Sequence, residues 1–309
     1  PEGFFPATPK EKGKGINKTI KFQMKENKLE KTLEGMKKEN KIIKSLAKIS
    51  GAMGLAAWGA GGKNDFSEGS VANIEDKTTV DTIKENDVIR IGVFGDKPPF
   101  SYVDANGDNQ GFDVEISKKI AEDLLGDSSK IEWVITEAAN RVEYLETGKV
   151  DLMMANFTVT PERAEVVDFA NPYMKVSIGI VSPEGNVITD VSQLEGKQLI
   201  VNKGTTAEAY FRENYPDIEL LVYEQNTETF QALLDGRGAA LAHDNTLIFG
   251  WIKENPGFVA GVEAIGNEDT IAPAVSEGNT ALLEWVNEEI DTLNDNGFIA
   301  EAYEKTLAP

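Results

Sequence analysis

The sequence predicts an α/β protein of two lobes, each a mostly parallel sheet flanked by helices, with the chain crossing between them twice. Three observations lead there. From Val88 onward, β-rich runs alternate with amphipathic helical stretches, the pattern of parallel sheets covered by helices. After Pro172-Tyr-Met-Lys-Val-Ser the series restarts, and an extended stretch from Gly266 to Pro273 leads back into a terminal helical block. The length of 309 residues suits about two domains of ordinary size.

The elements follow in order. Val88-Ile-Arg-Ile-Gly-Val-Phe reads as the first strand, and Val114, Ile116, Ile120, Leu124 and Leu125 mark the helix after a Gly/Pro loop. Further strands are expected at 131–135, 150–155, 178–181, 198–201, 220–223 and 239–242, with helices between several of them and a helical block from Leu282 to Thr306. In such folds ligands bind beyond the carboxyl ends of the strands, so facing lobes create a cleft there.

Charge divides the chain unevenly. Overall there are 31 Lys+Arg against 52 Asp+Glu, a net charge of −21. Residues 1–64 hold 14 Lys and 6 Glu, leaving 17 basic and 46 acidic residues in the body, which makes nucleic acid an unfavourable partner. Cysteine is absent, which removes disulfides, Cys-ligated zinc and thiol catalysis. With His243 as the only histidine, multi-histidine metal sites and most Ser-His machinery lose plausibility. No metal, cofactor or catalytic group is expected.

The basic part has the layout of an export leader over 36–62. Met36 and Lys37, Lys38, Lys41, Lys44 and Lys48 precede a short apolar run from Ile49 to Ala60, followed by Gly61 and Gly62. The run is too short for a bilayer, which needs about 20 residues. Export to the periplasm or cell surface is expected, without a lipid-accepting Cys near Ala60. Residues 1–35 read as an added or upstream segment and 63–86 as a flexible tether.

Several motifs carry candidate binding groups. Thr158-Val-Thr-Pro-Glu-Arg163 reads as a helix start, with Thr160 as N-cap, Pro161 at the first helical position and Arg163 in the first turn, where an anion is favoured. Lys203-Gly-Thr205-Thr206 occupies the same relative place in the second lobe, but lacks the spacing of a nucleotide P-loop. His243-Asp244-Asn245 ends an apolar strand, where Asp244 could hold an ammonium. Equally, each of these motifs fits a capped helix with no ligand. Phe100 and Tyr102 could wall a small ligand or merely pack their loop, and Asn140-Arg141 heads a helix. His243 reads as a packed structural residue. Asp104-Ala-Asn-Gly-Asp reads as a turn, since a calcium loop would need a Glu at another spacing. Together the pieces match a zwitterion: cation and backbone donors for a carboxylate, an anion for an ammonium, and aromatic walls.

The ordered set Pro-Pro-Phe100-Ser-Tyr102, Gly111-Phe-Asp-Val-Glu, Gly148-Lys-Val-Asp-Leu, Thr158-Val-Thr-Pro-Glu-Arg163, Val167-Asp-Phe-Ala-Asn-Pro-Tyr and His243-Asp244 resembles the polar amino-acid receptors of ABC importers, solute-binding protein family 3, over residues 87–307. The resemblance implies the two-lobed type II periplasmic-binding-protein fold, with lobe 1 at 87–174 plus 271–309 and lobe 2 at 175–270. It also implies a monomer that delivers a free amino acid to an ABC permease. Glu137-Ala-Ala-Asn-Arg141, Ala155-Asn156-Phe-Thr158, Asn202-Lys-Gly-Thr205-Thr206-Ala and Ile271-Ala-Pro-Ala-Val are similar to the cysteine-binding branch. By that resemblance Arg163 and the amides near Thr158, Thr205 and Thr206 take the α-carboxylate. Asp244 and the Asn156 carbonyl take the ammonium, and Phe100, Tyr102 and Arg141 border the side-chain pocket. Around Ala138, where many relatives present a bulky aromatic, this chain has Ala-Ala. A cleft-based lyase and a surface adhesion module are the alternatives on the same fold.

Overall fold

The computed structural model describes residues 78–307. The upstream segment and export leader expected before residue 63 lie outside these residues, as does the first part of the expected tether. The rest of the tether is not loose chain. Thr79–Asn86 forms helix α1, started by a reciprocal capping box between Thr78 and Asp81 and anchored by buried Ile83.

Five strands form the first sheet: β1 (Ile89–Val93), β5 (Ile131–Ile135), β6 (Leu152–Met153), β7 (Val167–Phe169) and β13 (Ala274–Ser276), in the order β5-β1-β6-β13-β7. The chain then enters a second five-stranded sheet of β8 (Met174–Pro183), β9 (Gln198–Asn202), β10 (Glu219–Tyr223), β11 (Ala240–Asp244) and β12 (Phe258–Ile271), ordered β10-β9-β11-β8-β12. Both sheets are mixed, each with a parallel set of three strands. β1, β5 and β6 run parallel, as do β9, β10 and β11, whereas β13 and β8 pair antiparallel with their neighbours. For β13 the reason is the double crossing, because the strand that returns to the first sheet arrives from its opposite end. β8 and β12 pair antiparallel from Ile271↔Met174 to Phe258↔Pro183, with register shifts between Ala260/Val262, Val262/Ile265 and Ile265/Asp269.

A three-stranded hairpin sheet of β2 (Asp96–Lys97), β3 (Ser101–Val103) and β4 (Asn109–Gln110) follows β1. Its turn is the expected one, with Asp104 Oδ1 accepting from the amides of Asn106 at 2.8 Å and Asp108 at 3.0 Å. Helices α2 (Phe112–Leu125), α3 (Arg141–Glu146), α4 (Thr206–Asn214), α5 (Asn226–Leu234) and α6 (Asn245–Glu254) cover the sheets. The terminal block is two helices, α7 (Thr280–Asp295) and α8 (Phe298–Thr306). Gly297 at φ 85° breaks the run in a conformation that glycine adopts without steric cost. α7 buries Leu282, Val286, Ile290 and Leu293, one helical face against the first sheet's core.

Candidate functional site

The strand ends and helix starts of both sheets converge on one small cavity. It is lined by Lys97, Arg141, Asn156, Thr158, Arg163, Thr205, Thr206 and Asp244. Seven of the nine residues expected from sequence are therefore brought together.

Asp244 ends the apolar strand β11 and stands at the N-cap of α6, yet its side chain makes no capping bond there. Instead Oδ2 accepts from Asn156 Nδ2 at 2.8 Å, and Oδ1 lies 3.5 Å from Thr206 Oγ1. Burial pushes the Asp244 carboxyl above the usual range, opposed by Lys97, Arg141 and Arg163. The capped-helix alternative thus fails here, because the carboxylate is turned into the cavity. At Thr205 that alternative holds, since its hydroxyl accepts from the Glu208 amide at 3.3 Å and caps α4. The start of α4 still borders the cavity through Thr205 and Thr206, presenting the positive end of a helix to it.

Asn156 has φ 44°, an unusual backbone for a residue with a side chain. Its conformation is held from three directions. The amide donates to Asp113 Oδ2 at 2.8 Å, the carbonyl accepts from Arg141 Nη1 at 3.1 Å, and the side chain reaches Asp244. Asp113 in turn accepts from the Tyr173 hydroxyl at 2.7 Å, and burial raises its carboxyl to about 7.

Two guanidinium groups share one aromatic platform, with Arg141 centred 4.4 Å and Arg163 4.8 Å from the ring of Phe157. Arg141 donates to the carbonyls of Ala138, Ala155, Asn156 and Gly204. Arg163 donates to those of Thr158 at 2.7 Å and Gly204 at 2.9 Å. Burial lowers Arg163 to about 10 and Arg141 well below its ordinary value, with Arg163 adding repulsion at Arg141. The helix expected after Thr160-Pro161 is only a single 3₁₀ turn at Arg163–Glu165. Thr160 Oγ1 still accepts from the Arg163 amide, at 3.3 Å, so the local start forms but Arg163 is aimed by Thr158, Phe157 and Gly204.

Phe100 and Tyr102 do not reach the cavity. Phe100 is fully buried in the main core with Phe112 and Ile116, and Tyr102 is half-buried on β3, paired with Asp96 and Gln110 in the hairpin. The residue sequence reasoning missed is Lys97. It sits on β2, is 2% exposed, and holds its ammonium 3.8 Å from the centre of the Phe94 ring. Burial first, and Arg141 second, push it down to about 7. A lysine in a Gly/Pro loop reads as solvated, and only the hairpin's fold-back turns it inward. His243 is buried behind the site, its Nδ1 accepting from the Asp244 amide at 2.7 Å and its ring stacked on Phe230. Burial holds it neutral, in keeping with a structural role.

The fold and this cavity define a class: the chain belongs to the bacterial extracellular solute-binding proteins, family 3, whose family model matches residues 89–308. Among individual proteins, the solute receptor for L-cysteine of Neisseria gonorrhoeae is 62% identical, covering 75% of this chain and 94% of that one with a TM-score of 0.74. The cysteine-binding protein of Campylobacter jejuni is 54% identical over 74% of this chain and 93% of its own, at a TM-score of 0.73. The ABC transporter glutamine-binding protein GlnH of Bacillus subtilis strain 168 is 33% identical, with 85% of this chain and 96% of its own covered. Among the described residues no helix is long and apolar enough to cross a membrane.

Proposed function

We propose that this chain is the extracytoplasmic binding component of an amino-acid ABC importer, and that it closes on one free L-cysteine between lobes formed by 87–174 plus 271–309 and by 175–270. The observation that carries the amino-acid reading is Asp244, an N-cap carboxylate that leaves its helix uncapped to face a cavity also lined by Arg163. A zwitterion has the two charges such a pair complements. In this reading Asp244 takes the α-ammonium, while Arg163 and the start of α4 take the α-carboxylate. Cysteine is favoured over glutamine by relatives at 62% and 54% identity named for cysteine, against 33% for the glutamine-binding one. In this reading the protein acts as a receptor, in line with relatives that bear the names of solute receptors and binding proteins.

The test is a thermal-shift screen of protein freed of co-purified ligand against each amino acid and cystine, with and without reductant. At a free concentration about a thousand times Kd, a true ligand adds about 4 kcal/mol, raising Tm by about 8 to 16 °C. A shift confined to cysteine is expected. A shift with glutamine alone replaces the ligand, and none with any amino acid removes the reading.

A further inference from the structure

Among the described residues Lys97 makes no ion pair within 4.0 Å. It is buried at 2% exposure, it lines the cavity, and among the described residues its ammonium has the face of Phe94 but no hydrogen-bond acceptor. The carboxylates that act on it are Asp244, Asp96 and Glu137, while Arg141 opposes its charge. Each of these is otherwise engaged or at a distance: Asp244 bonds Asn156, Asp96 accepts from Thr227, and Glu137 does not line the cavity. A buried ammonium left in this state is costly unless something fills its donor positions.

We propose that Lys97 is the specificity-determining residue of the site, binding the side-chain sulfur of the ligand as a thiolate. The inference rests on the cysteine reading above and adds the form in which the ligand is held. With Arg163 and Asp244 occupied by the α-carboxylate and α-ammonium, Lys97 is the remaining charged group in the cavity whose hydrogen-bonding capacity is unspent, since Arg141 already serves four carbonyls.

The ionisation is chemically close at hand. A free thiol titrates near about 8.5, and Lys97 is pushed down to about 7. On binding, the ligand's S–H bond breaks and its electron pair stays on sulfur. The proton forms the third N–H of a Lys97 that entered as amine, or passes to water where Lys97 entered as ammonium. The product in either case is a thiolate–ammonium pair in a low-dielectric pocket, where each charge raises the stability of the other. Serine differs by one atom but its hydroxyl does not ionise in this range, and alanine offers no acceptor. The pair therefore separates cysteine from both without using size.

Calorimetry on the full chain under reductant tests this, with L-cysteine, L-serine and L-alanine titrated into wild type and Lys97→Met. Wild type is expected to prefer cysteine strongly. Lys97→Met should lose about 30-fold or more in cysteine affinity and distinctly less in serine and alanine affinity, so the cysteine-to-serine ratio collapses. In parallel, the wild-type complex should show the ultraviolet thiolate band below the pH at which free cysteine ionises, a readout that does not depend on the variant folding. An unchanged ratio in Lys97→Met, or a wild-type complex without the band, overturns the role of Lys97 while leaving cysteine as ligand. Wild type that binds another amino acid and not cysteine overturns both readings, and the same titrations distinguish the two failures.

Discussion

Arg141 and Arg163 donate to the same acceptor, the carbonyl of Gly204, at 3.2 and 2.9 Å. Both arginines belong to the segment that builds the first sheet, whereas Gly204 follows β9 of the second, so this oxygen is a point at which the two halves are tied. Gly204 comes so close that a Cβ there would lie 2.6 Å from the amide nitrogen and Cα of Ala139, and its φ is 75°. Gly204→Ala is therefore expected to hinder the closed arrangement, with about 1 to 2 kcal/mol from the left-handed backbone alone and a clash on top. Calorimetry should show affinity reduced about 5- to 30-fold by that backbone contribution alone, and small-angle scattering with ligand should show a more extended particle than wild type.

Removing either end of the proposed zwitterion clamp should be costly. Asp244→Ala and Arg163→Ala each take one partner from a buried charged contact, so each is expected to weaken amino-acid binding by about 2 to 5 kcal/mol. Isothermal titration of both variants checks this, and affinities equal to wild type would place the ligand elsewhere.

A second tie lies at the rim. Asp96 Oδ2 accepts from the Thr227 amide at 2.8 Å and from its hydroxyl at 3.2 Å, while the Asp96 carbonyl accepts from Asn226 Nδ2 at 3.0 Å. Asp96 does not line the cavity, so Asp96→Ala should act on closure rather than on ligand contact. An affinity loss of about 1 kcal/mol, carried mainly by faster ligand release in stopped-flow measurements, is expected.

Stability should fall as pH rises through the acid range. Asp113 has an ordinary value of 3.8 and is raised to about 7 by burial, and Glu289 is raised from 4.5 to about 7 by burial and by Asp123. In the window between these values the folded protein binds more protons than the unfolded chain, so raising pH favours unfolding; the contribution is absent well below pH 4 and complete above pH 7. For fully buried Asp113 the loss amounts to about 4 kcal/mol. Denaturant unfolding of wild type and Asp113→Asn across this window should show the variant gaining relative stability as pH rises. A constant difference between them would contradict it.

Reading the sequence located what local chemistry decides. The strands at 131–135 and 198–201 and the face of α2 followed from apolar periodicity, and Asp244 was visible as a polar residue ending an apolar run. What tertiary contacts decide was not visible. Asp244 does occupy an N-cap position, and only Asn156, 88 residues away in sequence, draws its carboxylate inward. Phe100 and Lys97 lie in the same short loop and exchange the roles their residue types suggest. The aromatic ring goes into the core, and the lysine lines the cavity, because β2 and β3 fold back on each other and reverse which side chains face inward.

The cavity lining sets three cationic side chains, Lys97, Arg141 and Arg163, against the one carboxylate of Asp244. Like charges brought together out of water repel, so shutting the cleft without cargo works against itself, while an incoming anion-rich ligand relieves that repulsion. A ligand favours one shape only through what it adds there. On the receptor reading proposed above, charge neutralisation would act as quality control: idle copies would stand ajar, and a membrane partner that reads the shut shape would be spared counterfeit deliveries.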